Sequence, residues 1–329
     1  MRVLVTGAGG FLGSCLIDQL FREGFRIRAG FRHERQFSLL PSGVEKVVVD
    51  IRQKPEIMEA MVGCEVIVHL AGKAHAFDER GSDRDYETVN IEGTRNVLDA
   101  AVASEARRVV FISSVKVFGE ETEGSVDEMY PANPQTPYGR SKWQAERLVE
   151  EYAVKGGMTA VSLRLPMVYG PTKKGNLYRM ISAIDRGWFP PLPQLSTCRS
   201  MLHVKNFTRA VQACLRVKQF NQPAYIVADA RPYSTTAIYE QICLGLGKPV
   251  PSWHVPLGLL KAAAAGGDLV QAITRRSFPL TSDTLQKLIG SACYSTEALM
   301  RDTGYRPEFS FESAIQELIE FYRKSVQAC

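Results

Sequence analysis

The sequence predicts a doubly wound parallel sheet of the α/β class, followed by a smaller and mainly helical lobe. Three observations support this prediction. Apolar strand-like runs alternate with helix-like runs through the first half of the 329 residues, which is typical of repeated βαβ units. The chain opens with an apolar run, a glycine cluster and an amphipathic run, as a strand, a tight turn and a helix would. After Pro166 the alternation stops, and from Tyr233 onwards the pattern is helical with loops.

The opening turn, Gly7–Gly13, has the spacing G-x-x-G-x-x-G. Gly7 can adopt a positive φ because it has no Cβ. Gly10 would let a diphosphate approach the backbone, and Gly13 would let the next helix, predicted over Leu12–Phe21, pack closely on the strand. A helix N-terminus also offers unpaired N–H groups and a positive dipole end to phosphate. We therefore predict a phosphate-binding turn; a plain strand–helix turn is the alternative, because such a motif alone is weak.

The further elements follow in order along the chain. The predicted strands are Phe25–Gly30, Lys46–Val49, Glu65–Leu70, Arg108–Ser113, Ala160–Leu165 and a returning strand, Ala224–Ala228. The predicted helices between them are Ile17–Glu23, Pro55–Met61, Tyr86–Ser104 and Tyr138–Lys155. We assign residues 1–166, with 204–230 returning, to a dinucleotide-binding domain, and residues 167–203 and 231–329 to a substrate lobe. In such a sheet, ligands bind beyond the carboxyl ends of the strands.

Composition excludes several classes of protein. The 45% of hydrophobic residues suffices for a full core, and a formal charge of +5 is too mild to indicate nucleic-acid binding. The seven cysteines are scattered without a C-x-x-C pair, so we expect reduced thiols and no metal site. The chain begins with a strand, so we expect no signal peptide and a cytoplasmic location. The apolar stretch Val255–Ile273 is interrupted by Lys261 and Asp268, which favours a buried or interfacial helix over a membrane span.

Tyr138 and Lys142 carry the sharpest chemical signal. Residues four apart share one face of a helix, so the phenol and the ammonium can point at one site. The ammonium would stabilise the phenolate and lower the pKa of Tyr138, which makes it a candidate general acid or base. Ser113 and Ser114 close an apolar strand at the ligand-binding edge, where a hydroxyl could bond a substrate oxygen. The alternatives are a surface pair at a helix start and a strand-terminating serine pair.

In combination, these motifs resemble the NAD-dependent epimerase/dehydratase family of extended short-chain dehydrogenase/reductases, whose sheet is of the Rossmann type. The resemblance covers nearly the whole chain. It rests on Gly7–Gly13, Asp50–Ile51, His69–Gly72, Val89–Thr94, Ser113–Ser114, Val117–Gly119, Tyr138 with Lys142, Leu163–Arg164 and Val168–Pro171.

The resemblance implies a role for each matching residue. Ser114 would polarise the reacting oxygen, Tyr138 would transfer its proton, and Lys142 would tune Tyr138 and hold the nicotinamide ribose. The residues implied to bind the cofactor are Gly7, Gly10, Phe11, Leu12, Asp50, Ile51, Leu70, Ala71, Gly72, Tyr138, Lys142 and Pro166. The family also implies a homodimer formed through the helices over 86–104 and 138–155.

The end of the second strand bears on which cofactor is used. An acid there often holds the ribose 2′-hydroxyl of NAD, but this strand runs into Phe31, Arg32 and His33, with no acid before Glu34. A guanidinium can clamp a 2′-phosphate bidentately. We therefore predict NADP, with Arg32 as the leading contact; NAD, with a solvated basic loop, is the alternative.

The substrate lobe resembles that of the nucleotide-sugar enzymes. Asn176 and Leu177 open a helix as the diphosphate-contacting segment does there, and Arg199 matches the arginine that meets the sugar-nucleotide diphosphate. One departure is Met167, which stands where many sugar epimerases carry an asparagine and which donates no hydrogen bond.

The run over residues 111–117, with residues 141–143, most resembles the bacterial UDP-4-keto-6-deoxy-N-acetylhexosamine 4-reductases of surface-polysaccharide synthesis. The predicted function is therefore NADP-dependent reduction of a UDP-linked 4-keto sugar. The alternatives are a UDP-sugar 4-epimerase with tightly bound NAD, a reductase of small carbonyls and a non-catalytic cofactor sensor.

Overall fold

A seven-stranded parallel sheet forms the centre of the protein. The computed structural model describes residues 1–74, 83–122, 124–193, 197–274, 278 and 280–327. The strands of these ranges are β1 Arg2–Thr6, β2 Arg26–Phe31, β3 Glu45–Val48, β4 Val66–His69, β5 Arg108–Ser114, β6 Ser125–Val126, β7 Thr159–Leu165, β8 Met167–Tyr169, β9 Met201–His203, β10 Ala224–Ile226 and β11 Cys293–Tyr294. The sheet order is β10-β7-β5-β4-β1-β2-β3, and every neighbouring pair is parallel. The strand order reverses beside β1, so the predicted doubly wound sheet is confirmed.

Helices connect these strands and form the second lobe. They are α1 Phe11–Arg22, α2 Lys54–Met61, α3 Asp83–Tyr86, α4 Gly93–Ala103, α5 Pro137–Gly156, α6 Asn176–Asp185, α7 Val204–Arg216, α8 Thr235–Leu246, α9 Leu257–Thr274, α10 Ser282–Ile289, α11 Glu297–Thr303 and α12 Phe311–Gln327. A π-helical stretch, Glu87–Glu92, joins α3 to α4, and 3₁₀ turns cover Glu34–Leu39 and Val115–Phe118. The predicted helix over 86–104 is therefore a π-helical turn followed by a regular helix.

Apolar layers cover both faces of the sheet. On one face, Leu16 of α1 and Phe207 of α7 pack against Val5 of β1, and all three are fully buried. On the other face, α2, α4 and α5 pack against Leu4, which is also fully buried. Strands buried on both faces are continuously apolar, which is why the sequence shows them as runs rather than as an alternation.

A separate apolar core lies beyond Pro166. Residues of α6, α8 and α12 pack together there, including Ile181, Ile242 and Ile315. Helix α11 falls within the predicted substrate lobe, yet its Leu299 joins the core of the sheet. The domain boundaries drawn from the sequence remain a proposal.

Two short sheets beyond the main one were not predicted. Strand β8 pairs with β9, and β6 pairs with β11, in each case in parallel. These strands are two or three residues long, and so short a segment shows no hydrophobic period.

One expectation about the cysteines is wrong. Cys198 and Cys293 form a disulfide across a Cα–Cα distance of 5.5 Å, although 95 residues separate them in the chain. The pairing arises because the Ala292 amide donates to the Cys198 carbonyl, a proximity that spacing in the sequence does not reveal. Cys15, Cys64, Cys214 and Cys243 are free thiols, as expected.

Candidate active site

The glycine turn after β1 packs closely against neighbouring backbone of the same chain. Gly7 has φ +74°, and a Cβ on it would lie 2.7 Å from the Ala71 nitrogen. A Cβ on Gly13 would overlap the Gly7 carbonyl oxygen. Helix α1 begins at Phe11 without a side-chain cap at Gly10, so its first N–H groups are available to an anion. The uncapped start of α1 can therefore receive the phosphates of a dinucleotide.

A buried hydrogen-bond chain holds the loop that faces this turn. The Thr6 hydroxyl lies 2.7 Å from His69 Nδ1 and accepts a hydrogen bond from the Ala71 amide at 3.2 Å. His69 Nε2 lies 3.1 Å from the hydroxyl of Thr94. Burial lowers the pKa of His69 to about 3, so the imidazole is neutral at physiological pH and serves to position the loop.

Asn90 fixes the next residues of the same loop. Its side-chain oxygen accepts from the Lys73 amide at 2.7 Å, and its side-chain nitrogen donates to the Lys73 carbonyl at 3.0 Å and to the Ser141 hydroxyl at 2.9 Å. Asn90 belongs to the π-helical stretch, a local geometry that is frequent at functional sites. The segments that hold His69, Asn90 and Thr94 contribute to the family resemblance, but we predicted no role for these three residues from the sequence. A polar residue within or at the end of an apolar run is the sequence feature that could have indicated a buried, hydrogen-bonded side chain at these positions.

Ser114, Tyr138 and Lys142 meet at the carboxyl end of β5. The Ser114 hydroxyl accepts a hydrogen bond from the Lys116 amide at 3.2 Å and lies near enough to Tyr138 to act on the pKa of its phenol. Lys142 donates to the Ile112 carbonyl at 2.8 Å, and its Nζ lies 4.6 Å from the centre of the Phe111 ring. Both Ser114 and Lys142 are buried. A Cβ added to Gly72 would lie 3.5 Å from Lys142 Nζ, so Lys142 adjoins the loop that faces the glycine turn.

The expected lowering of the Tyr138 pKa is wrong for the protein without a bound ligand. Burial raises the pKa of Tyr138 to about 12, although the neighbouring Ser114 hydroxyl acts in the opposite direction. Burial also lowers the pKa of Lys142 to about 8. In both cases the loss of water disfavours the charged form. Helical spacing indicates that the two groups share a face, but it does not indicate how burial shifts their pKa values.

The residues predicted around the adenosine end lie on adjoining strand ends. Arg32 follows β2 and is exposed. Asp50 accepts hydrogen bonds from Arg52, which lower the pKa of Asp50, and Arg32 acts in the same direction. Ile51 is buried, and its backbone carbonyl accepts from the side chain of Asn96 at 3.0 Å. Arg52 therefore pairs with the Asp50 carboxylate at this edge.

A cleft beside the second lobe gathers two of the predicted substrate residues, Asn176 and Leu177. Asn176 and Leu177, at the start of α6, line it together with Met167 and Lys174. Gly175 precedes the helix with φ +105°, a conformation that favours glycine. Pro166 is buried at the junction between β7 and β8, at the base of this segment.

Arg199 is held on a neighbouring segment. It exchanges backbone hydrogen bonds of 2.8 Å with Tyr233, and its guanidinium donates to the Lys287 carbonyl. The same segment pairs with Ala292. Ala292 and Tyr294 pack with Val115 of the turn that follows Ser114, so the Arg199 segment is joined to the catalytic edge through one apolar cluster.

Comparisons with known proteins bear on this arrangement. Residues 3–228 match the model of the NAD dependent epimerase/dehydratase family. The chain is 24% identical over 322 residues to the N-acetyl-alpha-D-glucosaminyl-diphospho-ditrans,octacis-undecaprenol 4-epimerase of Escherichia coli O157:H7, covering 97% of this chain and 95% of that one. It is 28% identical over 263 residues to the UDP-glucose 4-epimerase of Vibrio cholerae, covering 78% of each.

The fold has solved counterparts. The crystal structure of the UDP-glucose 4-epimerase of Thermus thermophilus in complex with NAD superimposes with a TM-score of 0.76 at 23% identity, over 98% of this chain and 99% of that one. At this identity the likeness establishes a shared fold.

Proposed function

The chain belongs to the NAD dependent epimerase/dehydratase family, and from this premise we propose that it transfers hydride at C4 of a sugar carried on a diphosphate. It is an enzyme of the extended short-chain dehydrogenase/reductase type. One observation carries the proposal: Ser114 lies beside Tyr138, with Lys142 one helical turn away from Tyr138, and Lys142 Nζ adjoins the Gly72 loop that packs on the glycine turn.

The residues around the glycine turn would hold NAD(P). The diphosphate would rest on Gly7, Gly10, Phe11 and Leu12, and residues Leu70 to Gly72, with Pro166, would line the rest of the cofactor. Asp50 and Ile51 would border the adenine. When bound, the nicotinamide supplies the acceptor and donor of hydride for the sugar carbon.

Proton transfer would be the work of this chain's own side chains. Ser114 would hydrogen-bond the sugar O4, and the Tyr138 oxygen would remove or return the O4 proton as the carbon loses or gains hydride. Because burial raises the pKa of Tyr138 to about 12, the phenol is protonated before the reaction. It is ready to donate in the direction of reduction and needs a nearby cation, Lys142, to accept in the direction of oxidation.

The net reaction that we propose is 4-epimerisation, supported by the two relatives named as 4-epimerases. The second candidate is reduction of a 4-keto sugar with NADP, which is supported by the exposed Arg32 at the end of β2 and by the lack of an acid there before Glu34. An epimerase returns the hydride within one cycle and retains its cofactor, whereas a reductase must release oxidised cofactor.

The diphosphate carrier has two candidates as well. Arg199, Asn176 and Leu177 would face the diphosphate in either case. A uridine nucleotide is supported by the UDP-glucose 4-epimerase relative, and a polyprenol by the relative named for an undecaprenol-linked substrate. Met167 is 39% exposed in the cleft and offers no donor to a diphosphate of either carrier.

The nucleotide content of the purified protein tests the net reaction. Denaturation should release NAD, and the protein should interconvert the C4 epimers of a UDP-linked or lipid-linked sugar without added cofactor. Release of no nucleotide, together with turnover of a 4-keto sugar that depends on added NADPH, would favour the reductase instead. Absence of turnover with every diphosphate-linked sugar, with or without cofactor, would contradict the proposal.

A further inference from the structure

Asp229 is a buried carboxylate that the proposed chemistry does not use. It follows β10 and is 5% exposed. One carboxylate oxygen accepts from the His203 amide at 2.8 Å and from the Asn206 side chain at 2.7 Å. The other oxygen accepts from the Tyr169 hydroxyl at 2.8 Å and from the Tyr233 hydroxyl at 3.3 Å. Because a buried carboxylate is stable only with donors on its oxygens, Asp229 fixes each of these groups in place.

The contact with Tyr169 leads to the cleft of the second lobe. Tyr169 ends β8 and lines the cleft together with Asn176 and Leu177. The residue is 2% exposed, and its ring centre lies 5.6 Å from that of Phe311 in an edge-to-face arrangement. Both the ring and the hydroxyl of Tyr169 are therefore held. Asp229 thereby fixes one wall of the cleft that carries two of the proposed diphosphate contacts.

The contact with Tyr233 leads to the segment of Arg199. The backbone of Tyr233 exchanges hydrogen bonds of 2.8 Å with that of Arg199. The Tyr233 hydroxyl donates to Asp229 and accepts from the Phe311 amide at 2.8 Å, at the first residue of α12. Helix α12 in turn contributes Leu318 to the lining of the cleft. One tyrosine thus ties the Arg199 backbone to Asp229 and to a helix that lines the cleft.

Asn206 of α7 anchors the same network to the main sheet. Besides its bond to Asp229, its side-chain nitrogen donates to the Phe309 carbonyl at 2.7 Å. Its side-chain oxygen accepts from the Glu308 amide at 2.9 Å and from the Phe309 amide at 3.0 Å. Asn206 is fully buried, and its neighbour Phe207 packs in the core of the sheet. The chain that enters α12 is therefore held from the sheet side as well.

We propose that Asp229 is a positioning residue, which holds the Arg199 segment and the cleft in one fixed relation so that both grip the same diphosphate. The Tyr169 and Tyr233 hydroxyls end on the same carboxylate oxygen, so neither segment can shift without losing a buried hydrogen bond. Displacing a binding group by about 1 Å can cost up to about a hundredfold. The inference rests on the proposed function, because that function supplies the diphosphate.

Calorimetric titration of the full chain with two diphosphates tests the positioning role. Replacing Asp229 itself would leave several buried donors without an acceptor and destabilise the fold, so the test removes one hydroxyl. Tyr233→Phe keeps the ring and loses the contact with Asp229. UDP represents the nucleotide carrier, and farnesyl diphosphate represents the polyprenol carrier. Tyr233→Phe should weaken binding of the diphosphate that the unmodified protein binds by about fivefold or more.

A double-mutant cycle shows whether this loss acts through Arg199. Arg199→Ala should weaken binding of the same diphosphate, because it removes a charge-assisted contact. In the Arg199→Ala protein, Tyr233→Phe should weaken binding further by less than about twofold, since the group that it positions is gone. Tyr169→Phe, which releases the cleft wall instead, should weaken binding by the same factor with and without Arg199.

Tyr225→Phe is the matched control. The Tyr225 hydroxyl also donates to a carboxylate, that of Asp302 at 2.7 Å, and also accepts from a backbone amide, that of Asn221 at 3.1 Å. Tyr225 is fully buried in the core of the sheet. Its variant should lose about as much free energy of unfolding as Tyr233→Phe does and should bind both diphosphates as the unmodified protein does. The comparison separates the positioning of a binding group from a general loss of stability.

Each outcome bears on Asp229 separately from the proposed function, because affinity is measured without turnover. The proposal is overturned if neither diphosphate binds the unmodified protein, or if Tyr233→Phe binds as tightly as Tyr225→Phe. It is also overturned if Tyr169→Phe or Arg199→Ala leaves binding unchanged, or if the effects of Tyr233→Phe and Arg199→Ala add in full. The proposed function fails on a different result, the absence of turnover with every diphosphate-linked sugar.

Discussion

Burial governs the titration of the key side chains in the site. The pKa of Tyr138 is raised and the pKa values of Lys142 and His69 are lowered, and each of these shifts favours the neutral form of the group. The sequence showed which groups share a helix face, because that depends only on spacing. It could not show these displacements, since they depend on side chains from β4, β5 and α5 closing around the groups.

His69 should make the free energy of unfolding depend on pH. Its pKa is about 3 in the folded protein against an ordinary 6.5, so the unfolded chain binds the extra proton first as the pH falls. Stability from this residue is complete above pH 6.5 and is lost as the pH falls toward 3, by up to about 1.4 kcal/mol per unit. Denaturant unfolding from neutral pH down to about pH 4 should show a shallower slope for His69→Gln. Equal slopes in the two proteins would contradict the assignment.

Arg32 should govern the choice between NADP and NAD. Removing a charge-assisted bidentate contact in Arg32→Ala should weaken NADP binding about tenfold to a hundredfold and leave NAD binding unchanged. Calorimetric titration with each dinucleotide measures both. Arg26→Ala is the matched control, an exposed arginine at the other end of β2, and it should change neither affinity. Equal weakening of NADP and NAD binding by Arg32→Ala would mean that the guanidinium does not meet the 2′-phosphate.

The strand–turn–helix unit at the start of the chain is the element that sequence described best. We predicted a separate role for each of its three glycines, and the positive φ of Gly7 and the close packing at Gly13 confirm two of these roles. Short strands that pair with segments far away in the sequence could not be predicted from local patterns. The pairing of β8 with β9 and of β6 with β11 depends on the path of the chain through the second lobe. Helix α9 is buried along one side, as expected of a buried or interfacial helix, and none of the helices in the described part of the chain has the length and apolar character needed to span a membrane.

Gly13→Ala should disrupt the glycine turn. The new Cβ would overlap the backbone oxygen of Gly7, which cannot move without deforming the turn, so we expect a loss of about 1–3 kcal/mol in the free energy of unfolding and weaker dinucleotide binding. The control is Gly266→Ala in α9, where a Cβ meets nothing within 4 Å. It should stabilise the protein by up to about 1 kcal/mol. Denaturant unfolding measures the free energy of unfolding of both variants. An unchanged free energy of unfolding in Gly13→Ala would show that the turn can accommodate a Cβ at this position.

Across the whole molecule, the architecture places the candidate site between the carboxyl edge of the sheet and the second lobe. The apolar cluster around Val115, Tyr294 and Ala292 joins the turn after Ser114 to the segment that carries Arg199. The fold was predictable because βαβ alternation is a regular pattern of long range. The homodimer, the cytoplasmic location and the use of NADP remain predictions, since they depend on partners that one chain does not contain.

Reduction of bound nicotinamide by a sugar substrate tests the central claim most directly. Unmodified protein and Tyr138→Phe are each loaded with NAD and mixed with the diphosphate-linked sugar, and the near-ultraviolet absorbance of reduced nicotinamide is followed through a single turnover. We expect Tyr138→Phe to bind NAD as the unmodified protein does and to reduce it slower by about a hundredfold or more, because no group then accepts the O4 proton. Reduction at the unmodified rate in Tyr138→Phe would contradict the proposed chemistry.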